Sequence, residues 1–376
     1  MASHRIQIAD LRERAPAPEV AAALRDRLGR PLEDLRISVI DRCNFRCSFC
    51  MPPGRQYEFL PKHELLSFEE IARLARLFVA LGVRKIRLTG GEPLLRAEIE
   101  KLVAMLAAIP GVEDLALTTN GMLLAAKARG LRAAGLRRVT VSLETLDDET
   151  FGRLNGVGAP VSAVLEGIEA AVREGLGPVK INAVVMRGVN DHEVVDLARF
   201  FKARGCVVRF IEYMDVGTVN GWQPEEVLSA REVLEQVGAE LPLEPLERAH
   251  ASDPALRFRY LDDGLEVGAI ASITEPFCGD CTRGRLSSEG SFYTCLFAAA
   301  GTDLKGPLRS GCSDEEILDL LRGVWRRRSD RYSEARNEPL RRDAELIRLG
   351  RERVGSERAD AKPAPPRRIE MFRIGG

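Results

Sequence analysis

The sequence predicts an α/β fold, because six short apolar strands alternate with amphipathic helices up to about residue 213. Such an alternation is typical of βαβ units and of a parallel sheet. Six units form either an open, three-quarter version of the eight-unit barrel or a doubly wound sheet, and periodicity alone does not separate these arrangements. The predicted strands are residues 35–40, 85–89, 115–119, 138–142, 179–186 and 207–213.

The helices between the strands are marked by their ends. Ser67 and Glu70 form the residue pair of a capping box, apolar residues follow at helical spacing, and Gly82 ends the segment as a left-handed glycine does. Asn190 and Glu193 predict the start of another helix in the same way.

The alternation stops after about residue 216, which predicts a domain boundary. We expect residues 1–216 to form one domain and residues 217–376 to form a second, smaller one. The predicted elements of the second domain are a helix near 228–239, hairpin-like turns within 261–300 and a helix over 313–328. From residue 341 the composition becomes charged and then Pro-rich, which predicts a flexible tail over 341–376.

Composition and charge argue against several classes of protein. Lys and Arg number 55 and Asp and Glu 56, so the net charge of −1 does not indicate a nucleic-acid or membrane-surface binder. The N-terminal segment lacks the apolar region of a secretory signal, and no apolar run approaches the length of a membrane span. We therefore expect a cytoplasmic protein without nucleic-acid or membrane partners, in a compartment where thiols stay reduced.

Six of the eight cysteines fall into two groups of three. The first cysteine group is Cys43, Cys47 and Cys50, and the second cysteine group is Cys278, Cys281 and Cys295. A structural zinc site normally has four ligands, whereas three thiolates on a four-iron cluster leave one iron open to a substrate or cofactor. For the first group, the alternatives are a zinc site with a distant fourth ligand or three unrelated core cysteines. For the second group, Cys312 is a possible fourth ligand.

The first cysteine group and its surroundings resemble the radical S-adenosylmethionine superfamily. DRCNFRCSFCMP follows the first strand, and TGGEP ends the second. The resemblance implies a [4Fe-4S] cluster on the first cysteine group, where the methionine part of S-adenosylmethionine binds the open iron and is cleaved to a 5′-deoxyadenosyl radical. The implied cofactor contacts are Phe49, Gly91, Ser142 and Met214.

Nearly the whole chain resembles the GTP 3′,8-cyclases of molybdenum cofactor biosynthesis, also called cyclic pyranopterin synthase A. The matching segments are the CTRGRLSS run after Cys278, RFIEYMDVG, NGW and the final IGG. The resemblance implies an incomplete (βα)6 TIM-type barrel with a C-terminal α+β cluster-binding domain. It also implies a second [4Fe-4S] cluster on the second cysteine group.

The same resemblance implies a lyase that converts GTP to (8S)-3′,8-cyclo-7,8-dihydroguanosine 5′-triphosphate, through abstraction of the 3′ hydrogen and attack on guanine C8. The implied GTP contacts are Arg36, Arg87, Thr118, Lys180, Arg283 and Arg285. Gly375 and Gly376 are expected to reach into the active site. The expected partners are GTP, an electron donor and a downstream cyclic pyranopterin monophosphate synthase, and the chain is expected to be a monomer or homodimer.

The strand sequences give an independent indication of a polyanion. Arg36, Arg87, Lys180 and Arg209 each interrupt an otherwise apolar strand, whereas barrel interiors are usually filled by Val, Ile and Leu. Several such cations together predict a lumen that binds a triphosphate. The alternative is that individual side chains point outward or lie at strand ends.

Two other functions remain open from the residues alone. One is a peptide-modifying radical enzyme with an auxiliary cluster, although the basic strand positions favour a nucleotide. The other is a non-catalytic zinc or electron-transfer protein, which metal analysis distinguishes through its lack of iron and acid-labile sulfide.

Overall fold

The computed structural model describes residues 24–217, 219–248, 250, 252–336 and 369–375. The strands are β1 (Asp34–Ser38), β2 (Lys85–Thr89), β3 (Asp114–Thr119), β4 (Arg138–Ser142), β5 (Lys180–Val185), β6 (Val207–Glu212), β7 (Leu243–Leu246), β8 (Leu256–Tyr260), β9 (Glu266–Ile270), β10 (Arg283–Leu286), β11 (Ser291–Tyr293) and β12 (Thr302–Asp303). The helices are α1 (Phe68–Ala80), α2 (Ile99–Ala107), α3 (Leu124–Ala133), α4 (Asp148–Asn155), α5 (Val161–Arg173), α6 (Val194–Lys202), α7 (Ala230–Glu240), α8 (Lys305–Arg309), α9 (Asp314–Arg327) and a C-terminal turn of helix (Met371–Ile374).

All of these strands belong to one sheet of 12 strands, in the order β12-β11-β10-β1-β2-β3-β4-β5-β6-β9-β8-β7. The run from β10 through β1 to β6 and on to β9 is parallel, and the outer strands are antiparallel. Strands β1 to β6 neighbour one another in chain order, whereas in a doubly wound sheet the order of the strands reverses beside the first strand. The topology is therefore that of the incomplete barrel, and the predicted α/β class is confirmed.

The six predicted strands are all present, with bounds that differ from the predicted ones by no more than two residues. The capping box at the start of α1 is also confirmed, since the Ser67 hydroxyl accepts from the Glu70 amide and the Glu70 carboxylate accepts from the Ser67 amide. The predicted hairpins within 261–300 correspond to the pairs β8–β9 and β10–β11.

The predicted cap at Asn190 is wrong. The Asn190 side chain makes no cap hydrogen bond, and α6 begins only at Val194. Its amide group instead accepts from the Met186 amide at 2.8 Å and donates to the Glu144 carbonyl at 2.8 Å. The Glu193 carboxylate accepts from the Thr145 hydroxyl. Both side chains therefore join the ends of β4 and β5 to the helix instead of capping it.

The second half of the chain adds strands to the same sheet and does not form a separate layer against it. β9 pairs with β6 and β10 pairs with β1, both in parallel, so residues that are distant in sequence extend the barrel at both ends. Strand β7 was not predicted, and it extends the β9 end of the sheet through its antiparallel pair with β8. This arrangement brings the loops that follow β9 and β11 to the open side of the barrel.

The two faces of the parallel strands differ in character. On β1, Leu35 and Ile37 are fully buried in the main core with Leu74 and Phe78 of α1, while Arg36 between them points to the other face. Because side chains alternate along a strand, this pattern repeats on the neighbouring strands. The helices thus cover an apolar outer face, and the inner face carries the cations. No helix in the described part of the chain is long and apolar enough to cross a membrane.

Candidate functional site

The first cysteine group lies in the loop that leaves the carboxyl end of β1. A turn forms this loop, in which the Cys50 amide donates to the Cys47 carbonyl at 3.0 Å and the Met51 amide donates to the same oxygen at 2.9 Å. All three thiols are free and partly exposed. The carboxyl ends of barrel strands are where catalytic groups usually lie, so the three thiols lie at the face where a catalytic site is expected.

Burial and mutual proximity make these thiols hard to ionise on their own. Burial raises the pKa of Cys43 to about 11. Burial raises the pKa of Cys47 further, and the neighbouring Glu144, Cys50 and Cys43 add to the effect. Burial and then Cys43 also raise the pKa of Cys50. Thiolates at these positions therefore need a cationic group among them, and an iron cluster supplies one.

Gly91 fits closely against the first cysteine loop. Its amide donates to the Ile40 carbonyl at 2.7 Å, and a Cβ atom at this position would lie 2.2 Å from the Arg42 carbonyl oxygen. Any side chain would therefore push the loop away from the end of β2. Gly91 of the TGGEP segment therefore sets how closely the loop after β2 approaches the first cysteine loop.

The other predicted cofactor contacts lie at the same end of the sheet. Ser142 is the last residue of β4, and Met214 follows β6. Phe49 packs partly buried against a small apolar cluster that includes Leu154 and Tyr213. These three residues and Gly91 are thus all carried by loops or strand ends near the carboxyl edge.

The second cysteine group lines a cavity at the open side of the barrel. Cys278 and Cys281 follow β9, and Cys295 follows β11. Burial opposes ionisation of Cys281, yet Arg283 and Arg328 hold its pKa at about 6. Burial raises the pKa of Cys295 to about 11. The second group therefore contains one thiol that is already poised as a thiolate ligand.

Five arginines line the same cavity, which we call the cationic cavity, and no Asp or Glu among the described residues lines it. Three of them form a row across neighbouring strands, because Arg285 on β10 is in register with Arg36 on β1, and Arg36 with Arg87 on β2. Side chains in register on parallel strands point to the same face. The other two are Arg209 and Arg283.

Burial and mutual repulsion make this set electrostatically unfavourable without an anion. Burial and then Arg283 lower the pKa of Arg36 to about 9, while burial and then Arg138 lower the pKa of Arg87 and of Arg209 to about 10. The buried Nε of Arg36 has no hydrogen-bond partner among the described residues. Uncompensated buried cations are costly, so the cavity is built to receive a polyanion.

Two of the predicted substrate residues have distinct places. Thr118 lines the cationic cavity, and its hydroxyl accepts from Arg87 Nη1 at 3.1 Å. Lys180 begins β5, at the amino edge of the sheet, and lines a separate cavity that shares Arg209 with the first one. Burial and then Arg209 lower the pKa of Lys180 to about 8. The cations therefore extend through the barrel from the second cysteine group to Lys180.

The C-terminal segment enters the lumen beside these groups. Phe372 and Ile374 are 4% and 0% exposed, so this part of the predicted flexible tail is packed helix instead. Gly375 has φ +70°, and a Cβ atom there would lie 1.8 Å from the Thr89 hydroxyl. Its carbonyl accepts from Arg285. Gly376 lies outside the described residues.

Comparison with family models and with known relatives assigns the chain to a protein family. A family model for the Radical SAM superfamily matches residues 37–201, and one for Molybdenum Cofactor Synthesis C matches residues 206–334. A GTP 3′,8-cyclase from Acidothermus cellulolyticus is 52% identical over 365 residues, covering 94% of this chain and 99% of the relative. One from Xanthomonas axonopodis pv. citri is 48% identical over 360 residues, covering 95% and 100%.

This chain belongs to the GTP 3′,8-cyclase family. The predicted resemblance is thereby confirmed over nearly the whole chain. Among solved structures, that of Streptococcus suis SuiB bound to S-adenosylmethionine has a TM-score of 0.55 at 18% identity, covering 79% of this chain and 68% of that one. This similarity concerns the fold alone.

The cysteines of this GTP 3′,8-cyclase family member fit iron–sulfur clusters by their chemistry. Within the described residues, no three His, Cys, Asp or Glu side chains converge on a position for one metal ion. A four-iron cluster binds each thiolate through a different iron, so its ligands surround a volume instead of a single point. Each group supplies three free thiols, which would bind three of the four irons of a cluster.

Sequence reasoning missed a buried network behind the first cysteine group. The Glu92 carboxylate accepts from the Thr119 hydroxyl at 2.7 Å and the Asn120 amide at 2.8 Å. Burial raises the pKa of Glu92 to about 7. The Asn120 side chain then donates to Asn44 Oδ1 at 2.8 Å and lies 3.9 Å from Cys43 Sγ. Its signals in the sequence are the TGGEP segment, which contains Glu92, and the TTN run at the end of β3.

Proposed function

We propose that this chain is a radical S-adenosylmethionine lyase that converts GTP to (8S)-3′,8-cyclo-7,8-dihydroguanosine 5′-triphosphate in molybdenum cofactor biosynthesis. One observation carries the proposal beyond family membership. The second cysteine group and five arginines line one cavity that no described carboxylate enters. A ligand that fits must therefore offer both a donor atom for iron and several negative charges, and GTP offers a guanine base and a triphosphate.

The first cysteine group would hold one [4Fe-4S] cluster, with S-adenosylmethionine at its open iron. Bound together, they supply the 5′-deoxyadenosyl radical that removes the 3′ hydrogen atom of GTP. The chain's own part is to position the cofactor. Gly91 holds the cysteine loop against β2, and the remaining proposed cofactor contacts are Phe49, Ser142 and Met214.

The second cysteine group would hold another [4Fe-4S] cluster at the wall of the cationic cavity, where an iron without a protein ligand would be able to bind the base of GTP. Arg283 interacts electrostatically with Cys281 and Cys295 of this group. Its guanidinium lies 4.9 Å from the centre of the Phe277 ring. Arg36, Arg87 and Arg285 would bind the phosphates, with Thr118 orienting Arg87 and with Lys180 at the far end of the cation series. Fixed donors in place before substrate arrives are how a protein orients a reaction that a cofactor drives.

Gly375 would complete the active site from the C-terminal side. The Arg285 guanidinium has five donors in a rigid fork, so it can hold the Gly375 carbonyl and a substrate phosphate together. Gly375 also touches Thr89 at the end of β2, within the same carboxyl edge as Gly91. We assign the terminal glycines the role of closing the lumen over GTP.

The cavity also bears on the alternative of a peptide-modifying enzyme. A peptide backbone is neutral, so it would leave the five cavity arginines without counter-charge, at a cost that a triphosphate avoids. The nucleotide therefore remains the substrate that fits the charges best. The electron donor, the downstream synthase and the oligomeric state stay predictions.

Deuterium transfer tests the proposed substrate directly. The reconstituted protein is mixed anaerobically with S-adenosylmethionine, dithionite and GTP deuterated at C3′. The proposal expects one deuterium in the 5′-deoxyadenosine that forms. Unlabelled 5′-deoxyadenosine, formed at the same rate with and without GTP, would contradict it. GTP deuterated at C2′ is the matched control and should give no labelled 5′-deoxyadenosine.

A further inference from the structure

A tight loop before the barrel carries a buried carboxylate. Asp26 Oδ1 accepts from the Leu28 amide at 2.9 Å and from the Arg30 amide at 2.9 Å, and Gly29 turns the chain with φ +77°. This loop precedes residue 37, where the first family model begins to match. None of the described residues that line the cationic cavity belongs to this loop.

The carboxylate joins two buried arginines from opposite ends of the chain. Asp26 Oδ2 accepts from Arg30 Nε at 2.6 Å and lies 3.3 Å from Arg328 Nη1. The side chains of Asp26, Arg30 and Arg328 are 0%, 2% and 2% exposed. Arg328 Nε also lies 3.4 Å from Asp330 Oδ2, so two carboxylates balance the two guanidinium groups in this network.

Both arginines also donate to the backbone of the second cysteine group, and Arg30 Nη1 donates in addition to the Asp330 carbonyl at 2.8 Å. Arg30 Nη1 donates to the Cys278 carbonyl at 2.6 Å, and Arg328 Nη1 donates to the Cys281 carbonyl at 2.7 Å. Arg328 Nε donates to the carbonyl of Thr294 at 3.1 Å, the residue that precedes Cys295. One of the two guanidinium groups thus holds the backbone at each proposed ligand of the second cluster. It does so through the carbonyl of the cysteine itself or of the residue before it.

The arginines are themselves fixed by packing. The Arg328 guanidinium lies 4.5 Å from the centre of the Trp325 ring, and Trp325 is fully buried. The Trp325 indole donates to the Arg30 carbonyl at 3.1 Å, which ties α9 to the loop of Asp26. A planar guanidinium held this way presents its donors in one geometry, which a flexible ammonium does not.

We propose that Asp26, Arg30 and Arg328 are positioning residues that clamp the second cysteine group and raise the reduction potential of its cluster. The inference rests on the proposed function, since it takes the second cysteine group as cluster ligands. The clamp fixes the backbone on which the three thiols are carried. Within the network, the guanidinium groups donate directly to the ligand backbone, so their positive charges favour the more negative, reduced state of the cluster and raise its potential.

The test isolates the second cluster in the full-length chain by replacing Cys43, Cys47 and Cys50 with Ala. In this background, Arg30→Met and Arg328→Met are compared with Arg327→Met, an exposed neighbour at the end of α9. We expect the two buried variants to lose iron to a chelator about tenfold to a hundredfold faster, because hydrogen bonds from charged donors are of that strength. Their midpoint potential should fall, and Arg327→Met should change neither quantity.

Arg30→Lys and Arg328→Lys separate charge from geometry, and they also serve if the Met variants do not fold. Both should retain the parent's midpoint potential while releasing iron faster, since Lys keeps the charge without the planar fork. Unchanged iron release and unchanged potential in all folded variants would overturn the clamp. So would equal weakening of the first cluster when the same changes are made in the chain with all its cysteines.

The readouts distinguish this inference from the proposed function. Absence of a second cluster from the parent protein would overturn both. A stable second cluster that is insensitive to Arg30 and Arg328 would overturn the clamp and leave the proposed function standing. The expected result needs no GTP, so it does not depend on turnover.

Discussion

The Nη1 atom of Arg285 donates to the carbonyl oxygen of Gly375, so strand β10, at one end of the barrel, holds the C-terminal segment in the lumen. Arg285 also stands in the row with Arg36 and Arg87 that faces the cationic cavity. One guanidinium therefore connects the C-terminal segment to the proposed phosphate site, and the tail and the substrate should act on each other.

Replacing Gly375 with Ala should disrupt this connection. The new Cβ would lie 1.8 Å from the Thr89 hydroxyl, so the C-terminal segment must move out of the lumen. Because misplacement by about 1 Å can cost ~10²-fold in rate, formation of the cyclic nucleotide should fall by about that factor, as measured by chromatography. Iron content and S-adenosylmethionine binding should persist.

Gly188→Ala is the matched control for that change. Gly188 has φ +74°, close to the φ of +70° at Gly375, but nothing lies within 4 Å of the position of its Cβ. The backbone strain of the two variants is therefore similar, and only the steric contact differs. Product yields that fall equally in both variants would show that strain, and not the place of Gly375 in the lumen, is responsible.

The two cysteine groups should be separable. Changing Cys43, Cys47 and Cys50 to Ala should remove one cluster and abolish cleavage of S-adenosylmethionine, whereas changing the second cysteine group should remove the other and leave reductive cleavage in place. Iron, sulfide and electron paramagnetic resonance measurements follow the clusters. Cys312→Ala is the control, because Cys312 does not line the cationic cavity. Continued cleavage in the first triple variant would contradict the assignment.

Arg285→Ala should weaken GTP binding while both clusters remain. A charge-assisted contact is worth about 1.5–3 kcal/mol, which corresponds to roughly a tenfold to hundredfold loss of affinity. Arg259 is a suitable control, since it is half-exposed and pairs with Glu244 at the edge of the sheet. Equal GTP affinity in Arg285→Ala and Arg259→Ala, measured by anaerobic calorimetry, would rule out a phosphate contact at Arg285.

Lys180 should make GTP binding depend on pH. The pKa of its ammonium is lowered to about 8, first by burial and then by Arg209. If the charged form binds a phosphate, the free protein must take up a proton above that pKa, so affinity should fall about tenfold from pH 7 to pH 9. Lys180→Arg should bind GTP with less change over this range, because a guanidinium keeps its proton to higher pH than an ammonium, whereas Arg36, with a pKa of about 9, contributes equally in both proteins. The same pH dependence in both proteins would exclude Lys180 as a ligand of the triphosphate.

The elements that the sequence predicted are those that depend on local pattern. Strands β1 to β6 show a period-two or fully apolar pattern, and Arg36 and Arg87 stand out because each interrupts it. The pairing of β9 with β6 and of β10 with β1 was not predicted, because register between strands distant in the chain leaves no local signature. The cap at Asn190 was misassigned because tertiary hydrogen bonds to Met186 and Glu144 replaced the local one.

The clamp could not be found in the sequence, because its residues are also distant along the chain. Arg30 and Cys278 are 248 residues apart, and Arg328 and Asp26 are 302 apart. Each arginine alone is indistinguishable from the surface arginines that surround it in the sequence. Only the folded chain shows that both are buried and that both donate to the backbone of the second cysteine group.

The central claim is that one cavity presents GTP to a radical formed at the first cysteine group. The most direct measurement is anaerobic turnover of GTP with S-adenosylmethionine and a reductant, with both products quantified by mass spectrometry. Our account predicts the 3′,8-cyclic nucleotide and 5′-deoxyadenosine in equal amounts. Formation of 5′-deoxyadenosine without any cyclic nucleotide, by protein that carries both clusters, would contradict it.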